Sequence, residues 1–567
     1  MRVYLDIETN LAHNTIWMCV TKKGDEVLVW DSNDGLQEYL DELVCVAHNG
    51  IGFDFPLLNK LWGIEIASEN QRDTLVMSRL YNPELAIPDG TKYTPHSLAA
   101  WGHRLGFPKG DFTDFDGGPS KEMEKYCIQD VHVLEKLDLM LEKTMEELKF
   151  SQQSIELEHR VALICKRMEN NGFALDIEKA QVLLATLSGE MVDIETEFQT
   201  IFPPIVEERI SEKTGKRLKD KVTIFNPGSR QQIASRLLAK GVKLTKKTEK
   251  GSYIIDETVL DGIDLPEAKI FNRYLMIQKR VAQVSSWLDL VGDDGRMHGH
   301  VITNGAVTGR ATHNTPNMGQ VPAVGKPYGA DCRAMFGVAK GMVQVGVDLS
   351  GIELRCLGHY LNDKEWIDEL LKGDIHWFNA QSFGLVVKGT VKDDSNPDHK
   401  KARNTTKTLT YGVLYGAGAT KAGSIVGGNS TAGKKLIESF VNNTPGLASL
   451  KSKIARFAKK GHLPGLDGRR VWIRSEHAAL NTLLQSAGAI IAKQWLVECE
   501  KGLAEAGVPA KLMAWVHDEV QYETAPQYAA RVKEIVEKAA TIAGLVLQFR
   551  CPVDAEGKIG SNWYETH

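Results

Sequence analysis

The opening segment Met1-Arg2-Val3-Tyr4-Leu5-Asp6-Ile7-Glu8 is strand-like and holds two carboxylates spaced two apart. Strand side chains alternate, so Asp6 and Glu8 point to the same side. Carboxylates side by side repel unless a cation lies between them, and a divalent metal is the natural partner. For this pair alone, a solvent-facing position on an edge strand is the better reading. Two later segments change that. His48-Asn49-Gly50-Ile51-Gly52-Phe53-Asp54 follows an apolar strand and puts Asp54 in the turn or helix start beyond it. Tyr126-Cys127-Ile128-Gln129-Asp130 lies in a helical pattern, where Tyr126 and Asp130 share a face. Four carboxylates and a tyrosine from three segments suit phosphodiester hydrolysis by two metals. One metal makes hydroxide from water, the other steadies the leaving oxygen, and the tyrosine orients the water.

A second constellation lies in the C-terminal half. Met342 to Arg355 alternates apolar residues up to Asp348. Leu512 to Tyr522 reads as an apolar hairpin with His517-Asp518-Glu519 at its tip. Hairpin tips usually carry Gly or Asn, so acidic residues there gain interest when another strand offers an aspartate to share metals. Between them, Arg403, Lys407, Tyr411 and Tyr415 recur every fourth residue. Each step advances about 400° around a helix, so the four form a stripe that drifts by ~40° per step. Two cations followed by two aromatics suit a nucleotide, phosphates at one end and base and sugar at the other.

Here the sequence resembles a known family. The three segments look like motifs A, B and C of family A DNA polymerases, D-x-S-x-x-E-L-R, R-x-x-x-K-x-x-x-[FY]-x-x-x-Y-G and V-H-D-E. Thr308-Gly309-Arg310, Asn317-Met318-Gly319-Gln320-Val321-Pro322, Gly465 to Arg470 and Asn481 to Ser486 resemble the family's flanking motifs. The N-terminal order D-x-E, N-x-x-x-x-D, Y-x-x-x-D resembles the DEDDy class of 3′→5′ exonucleases. The resemblance covers nearly the whole chain and is nearest to the replicative polymerases of small lytic podophages. It implies template-directed DNA synthesis with proofreading. Asp348, Asp518 and the Leu349 carbonyl would hold two Mg²⁺, and Asp6, Glu8, Asp54 and Asp130 two more, with Mn²⁺ able to substitute. Arg403, Lys407 and His376 would meet the triphosphate, and Tyr411 and Tyr415 the sugar and base. Arg310, Gln485 and His517 would read the minor groove. Glu353 would be the gate that leaves no room for a ribose hydroxyl.

The elements that must position these groups follow from patterning. Strands are expected at Arg2–Ile7, Met18–Thr21, Val27–Trp30 and Leu43–Ala47, and a helix over Lys121–Lys149. Residues 150 to 300 read as mostly helical and charged, with turns at Pro203-Pro204 and Asn226-Pro227-Gly228. The expected fold combines α/β and α+β domains. An RNase H-like exonuclease domain would span 1–148. A right-hand polymerase would span 149–567, with the thumb at about 150–300, the palm, built on an antiparallel sheet, at about 300–370 and 475–567, and helical fingers at about 371–474.

Bulk properties agree with this class without specifying it. The chain has 567 residues, 43% apolar and 25% charged, with a net charge of −5. A net negative charge does not advertise a DNA binder, but binding is set by one face. The basic runs Lys213–Lys221, Lys243–Lys250 and Lys451–Lys460 read as solvated faces. The eight cysteines stand singly, which excludes a Cys-x-x-Cys zinc site and reads as buried thiols. No membrane span or signal peptide is visible, so a cytoplasmic monomer is expected, working on primer–template DNA and dNTPs. A phage or host helicase or primase is a candidate partner. Podophage polymerases that recruit thioredoxin carry a long thumb insertion, and Phe202 to Phe225 is too short for one. Gly428 to Lys435 nearly fits a P-loop but carries Lys435 where a Ser or Thr is needed. The rival readings are a single-subunit RNA polymerase, a nuclease whose second half only grips DNA, and a non-catalytic scaffold. Glu353 and the proofreading motifs argue against the first, and the full set of carboxylates against the third.

Overall fold

The computed structural model describes residues 1–567. Its N-terminal unit is a five-stranded sheet in the order β3-β2-β1-β4-β5. The strands are β1 Arg2–Thr9, β2 Ile16–Lys23, β3 Glu26–Trp30, β4 Val44–Ala47 and β5 Gln71–Asp73. β1 runs antiparallel to β2 and parallel to β4. Alternation along β1 divides its side chains between two cores. Val3, Leu5 and Ile7 enter one, and Tyr4 enters the other, beneath the helix Lys121–Glu147. Asp6 and Glu8 share the parity of Tyr4, so they face that helix. Ser120 starts it by accepting a hydrogen bond from Met123 N. Its buried residues Met123, Cys127, Asp130, Val131, Leu134, Leu137 and Leu141 follow the i, i+3, i+4 repeat.

The second sheet has four antiparallel strands in the order Lys511–Val516, Glu519–Thr524, Val343–Leu349, Ala555–Gly560. The long helix Ala479–Glu505 and the helix Ala529–Val546 complete its core. Helices from Lys364 to Ala458, among them Ile375–Phe383 and Pro397–Leu414, form a layer packed on the same core. The helices Ile177–Ile201 and Pro266–Leu290 build another core. There Phe198 stacks on Phe271 with ring centroids 4.6 Å apart.

One helix, Gln152–Asn171, joins the two halves. Its His159 Nε2 accepts a hydrogen bond from Asp73 N at 3.0 Å. Its Glu158 Oε1 accepts from both Lys493 Nζ and Arg469 Nη1 at 2.5 Å, and Arg469 also clamps Asp467. All four side chains are buried, and their formal charges sum to zero.

Residues 150–300 are mostly helical, as expected, but one of the interruptions is larger than a turn. Ile205–Ile210 and Arg217–Thr223 form a two-stranded hairpin that lies exposed along its whole length. The basic run Lys213–Lys221 occupies its turn and second strand, solvated but not a loop. All eight cysteines are free and buried. Gly428 to Lys435 is the start of the helix Ser430–Asn443, capped by Asn429. No helix is long and apolar enough to cross a membrane.

Candidate active sites

Asp348 ends one strand and Asp518 sits in the tight turn of the neighbouring hairpin. Leu349 N donates to Asp518 O at 2.9 Å, which holds the two chain segments together. His517 takes φ 60 in that two-residue turn, a left-handed conformation that a non-glycine residue adopts at a cost and that turns up at functional sites. Neither aspartate is paired with a cation. The Asp348 side chain is open to solvent on one side; partial desolvation, then Asp518 and Glu519, push it up to about 7. Burial, then Glu353, push Asp518 up to about 6. Glu519 pairs with Asp348 across the strands but is taken. Trp563, Gln521, Arg333 and His567 all donate to its carboxylate. Burial works to raise Glu519, but those donors outweigh it and hold the carboxyl below its usual range. Of the three tip residues, Asp518 alone keeps a free carboxylate.

Arg310, Glu353, His517 and Asp518 line one small cavity with Leu484, Gly488 and Lys493. Gln485 stands on the same helix, between Leu484 and Gly488. Glu353 Oε1 accepts a hydrogen bond from Tyr415 Oη at 3.0 Å and lies 3.9 Å from Arg310. The stripe from Arg403 to Tyr415 runs along the helix Pro397–Leu414 and its cap, and Tyr415 thereby reaches the strand aspartates' cavity. Arg403 is aimed by a residue that sequence reasoning missed. Asp374 Oδ2 accepts from Arg403 Nε at 2.6 Å and lies 3.0 Å from Lys392 Nζ, while Oδ1 caps the helix Ile375–Phe383. Burial opposes ionisation of Asp374, yet those cations bring it down to about 2. His376 faces Tyr411 with ring centroids 6.2 Å apart, and its Nδ1 is buried without a partner. Lys407 is exposed, one turn from Arg403.

In the N-terminal unit the structure brings the predicted carboxylates together. Ligand atoms of Asp6, Glu8 and Cys127 lie within 4.8 Å of one another. Asp54 opens its short helix, and Oδ1 accepts from Ile7 N at 3.2 Å, which fixes it against β1. Asp73 holds the preceding loop by accepting from Asn49 N and Ile51 N. Asp130 is buried, and its Oδ1 has no hydrogen-bond partner. Burial, then Asp6 and Asp130, push Glu8 up to about 9. Burial, then Asp6, push Asp130 up to about 7. Two further members went unforeseen. The Cys127 thiol donates to Asp6 Oδ2 at 3.5 Å, and burial keeps it protonated. Lys109 pairs with Asp130 and lies 4.5 Å from the Tyr126 ring centroid. Asp6 and Lys109 also line a cleft with His48, Arg79, His96 and His300, between this unit and the second half.

Both carboxylate sets fit divalent metal. Asp348 and Asp518 are adjacent, unpaired and burdened by mutual repulsion, and Asp130 keeps an orphaned oxygen beside Asp6 and Glu8.

Comparison with known proteins agrees with this geometry. Residues 205–565 match the family described as DNA polymerase family A. DNA-directed DNA polymerases of Enterobacteria phage T3 and Escherichia phage T7 are each 34% identical, over 93% of this chain and 94% of theirs. DNA polymerase I of Aquifex aeolicus is 28% identical over 69% of this chain and 71% of its own. A solved structure described as the POL domain of Pol1 from M. smegmatis, in complex with DNA primer-template and dNTP, superposes with a TM-score of 0.81. It is 20% identical and covers 100% of this chain and 95% of its own. This chain belongs to DNA polymerase family A. The T3 and T7 alignments run over 681 positions, more than the 567 residues present here, so those relatives carry segments this chain lacks.

Proposed function

We propose that this chain is a DNA-directed DNA polymerase of the replicative phage type, whose N-terminal unit is a 3′→5′ proofreading exonuclease. The observation that carries the first part is Asp518 and Glu353 in one cavity, with Asp348 on the strand held to Asp518 and Tyr415 bonded to Glu353, within a family A chain. Residues 1–148 are assigned to the RNase H-like exonuclease, a reading supported by the sheet order β3-β2-β1-β4-β5. In residues 149–567 the four-stranded sheet is assigned to the palm, the layer from Lys364 to Ala458 to the fingers, and the helices around Phe198 and Phe271 to the thumb.

Asp348, Asp518 and the Leu349 carbonyl would hold Mg²⁺ in the palm, two ions in the assigned set, and Asp6, Glu8, Asp54 and Asp130 two more. Mg²⁺ supplies charge neutralisation and lowers the pKa of a bound hydroxyl or water. The protein's own groups do the positioning. Arg403 and Lys407 offer cations to a triphosphate, and Asp374 holds the Arg403 guanidinium in place before the nucleotide arrives. His376 presents one further donor on the same side. Glu353 fills the space beside Tyr415, where a 2′-hydroxyl would have to sit. Arg310, Gln485 and His517 surround the cavity floor, where minor-groove acceptors of a correct pair would lie. In the exonuclease, Tyr126 would orient the attacking water.

The partners that follow are primer–template DNA and dNTPs, with the chain acting as a monomer in the cytoplasm of a host bacterium. Thioredoxin is not among them, because Phe202 and Phe225 are joined only by the short exposed hairpin. Separation of function tests the main reading. Asp518→Asn should abolish primer extension and leave primer shortening intact, and Asp6→Asn should do the reverse. Loss of both activities in either variant would contradict the assignment of two sites.

A further inference from the structure

Lys109 is the cation that the N-terminal carboxylates share. Its ammonium pairs with Asp130, whose side chain is 1% exposed, and its charge also acts on Asp6 and Glu8. The loop that carries it is fixed rather than loose. Pro108 O accepts from Gln129 Nε2 at 2.9 Å, one residue from Asp130. Phe107 N bonds Gly102 O at 2.9 Å, and a Cβ on Gly102 would come within 3.0 Å of Lys109 N, so only glycine permits this close approach. Phe112 and Phe115 pack against Tyr126 with centroids 5.7 and 6.1 Å away. The backbone is thus anchored, and the long side chain reaches from it to Asp130, a quarter of its surface still open towards the cleft.

We propose that Lys109 occupies the cation place at Asp130 in the exonuclease site and must be displaced before a divalent ion can bind there. The inference rests on the nuclease reading above. Without Lys109, four converging carboxylates would have no compensating charge in the metal-free protein, and burial makes that repulsion costly. With Lys109, the empty site is stabilised and every incoming ion must first break a buried, charge-assisted hydrogen bond. Lys109 therefore exchanges metal affinity for the stability of the empty site. The displaced ammonium has room in the cleft that Arg79 lines, where the two side chains together would carry positive charge.

The test uses the full chain with the palm silenced by Asp348→Asn and Asp518→Asn, and Mn²⁺ as the probe. Binding is followed by electron paramagnetic resonance and melting in EDTA by calorimetry. Lys109→Met should tighten Mn²⁺ binding about tenfold or more, since a hydrogen bond to a charged group no longer has to be broken. It should also lower the melting temperature in EDTA. Lys109→Arg should stay close to the parent in both. In the parent itself, reductive methylation of Lys109, read by mass spectrometry, should be slow in EDTA and fast with saturating Mn²⁺. A lower melting temperature with unchanged Mn²⁺ affinity would leave Lys109 only a structural role and overturn the proposal. Weaker Mn²⁺ binding would overturn it too, by making Lys109 an organiser of the ligands. Equal methylation rates with and without Mn²⁺ would also contradict displacement. If the parent binds no Mn²⁺ with the palm silenced, the nuclease reading itself fails.

Discussion

Metal loading of the palm should be strongly pH dependent. Burial and facing carboxylates raise Asp348 to about 7 and Asp518 to about 6 in the metal-free protein. A divalent ion needs both deprotonated. At pH 5 the solution is about two units below the first value and about one below the second. Protonation then opposes binding by ~10-fold at Asp518 and by at most ~100-fold at Asp348, whose open side is screened by water, so the combined effect relative to pH 8 lies between about 10- and 1,000-fold. The effective affinity for Mg²⁺ should therefore climb steeply from pH 5 to 7 and flatten above. Nearly two protons should leave per palm site loaded at pH 5, and almost none at pH 8. The same shifts set the stability of the metal-free protein. Both carboxyls are raised above their unfolded values, so the unfolded chain binds fewer protons between about pH 4 and 7, and stability falls as pH rises through that window. Saturating Mg²⁺ should remove the fall. The assay is titration calorimetry in two buffers of different ionisation enthalpy, with Asp6→Asn and Asp54→Asn silencing the other site. An affinity that is flat from pH 5 to 7, or proton release near zero at pH 5, would refute the reasoning.

Three other expectations follow from the geometry. Glu158→Gln leaves Arg469 and Lys493 buried with one anion between them, and breaking such a network costs about 3–5 kcal/mol. The melting temperature should fall by about 4 °C for a cooperative unit of this size, and adding Lys493→Met should restore most of it; a double variant no better than the single one would count against the network. Burial already lowers Lys493 to about 8, and losing Glu158 lowers it further. The variant's stability should therefore rise with pH over a wider window below the unfolded lysine value than the parent's does. Glu353→Ala removes the side chain beside Tyr415 and should reduce discrimination against ribonucleotides by on the order of 100-fold in kcat/KM, measured by single-nucleotide incorporation; unchanged discrimination would remove Glu353 as the gate. Tyr411→Phe should impair dideoxynucleotide incorporation if, as the family resemblance implies, the tyrosine hydroxyl would stand in for the missing 3′-hydroxyl contact; equal incorporation would exclude that role.

Much of both sites was legible because local periodicity carried it. Alternation put Asp6 and Glu8 on one side of β1, and the four-residue repeat put Arg403, Lys407, Tyr411 and Tyr415 on one helix. The apolar run Leu512 to Tyr522 announced its hairpin, though not the left-handed backbone of His517 in its turn. What was hidden depends on contacts between distant residues. Asp374 meets Arg403 across 29 positions, and Glu158 meets Lys493 across 335. Nothing local says that Glu519 is consumed by Trp563 and His567 while its neighbour Asp518 stays free. Lys109 lies in a loop without periodicity, 21 positions from Asp130. The hairpin Ile205–Thr223 escaped for another reason. It buries neither face, so its apolar residues show no contrast between an inside and an outside.

The central claim is tested most directly by one primer-extension assay on a primed template with Mg²⁺, comparing four dNTPs, four rNTPs and no nucleotide. The account predicts extension with dNTPs, little with rNTPs, and primer shortening when nucleotides are absent. Shortening without extension would contradict it, and would make the C-terminal half a DNA-holding scaffold for a nuclease.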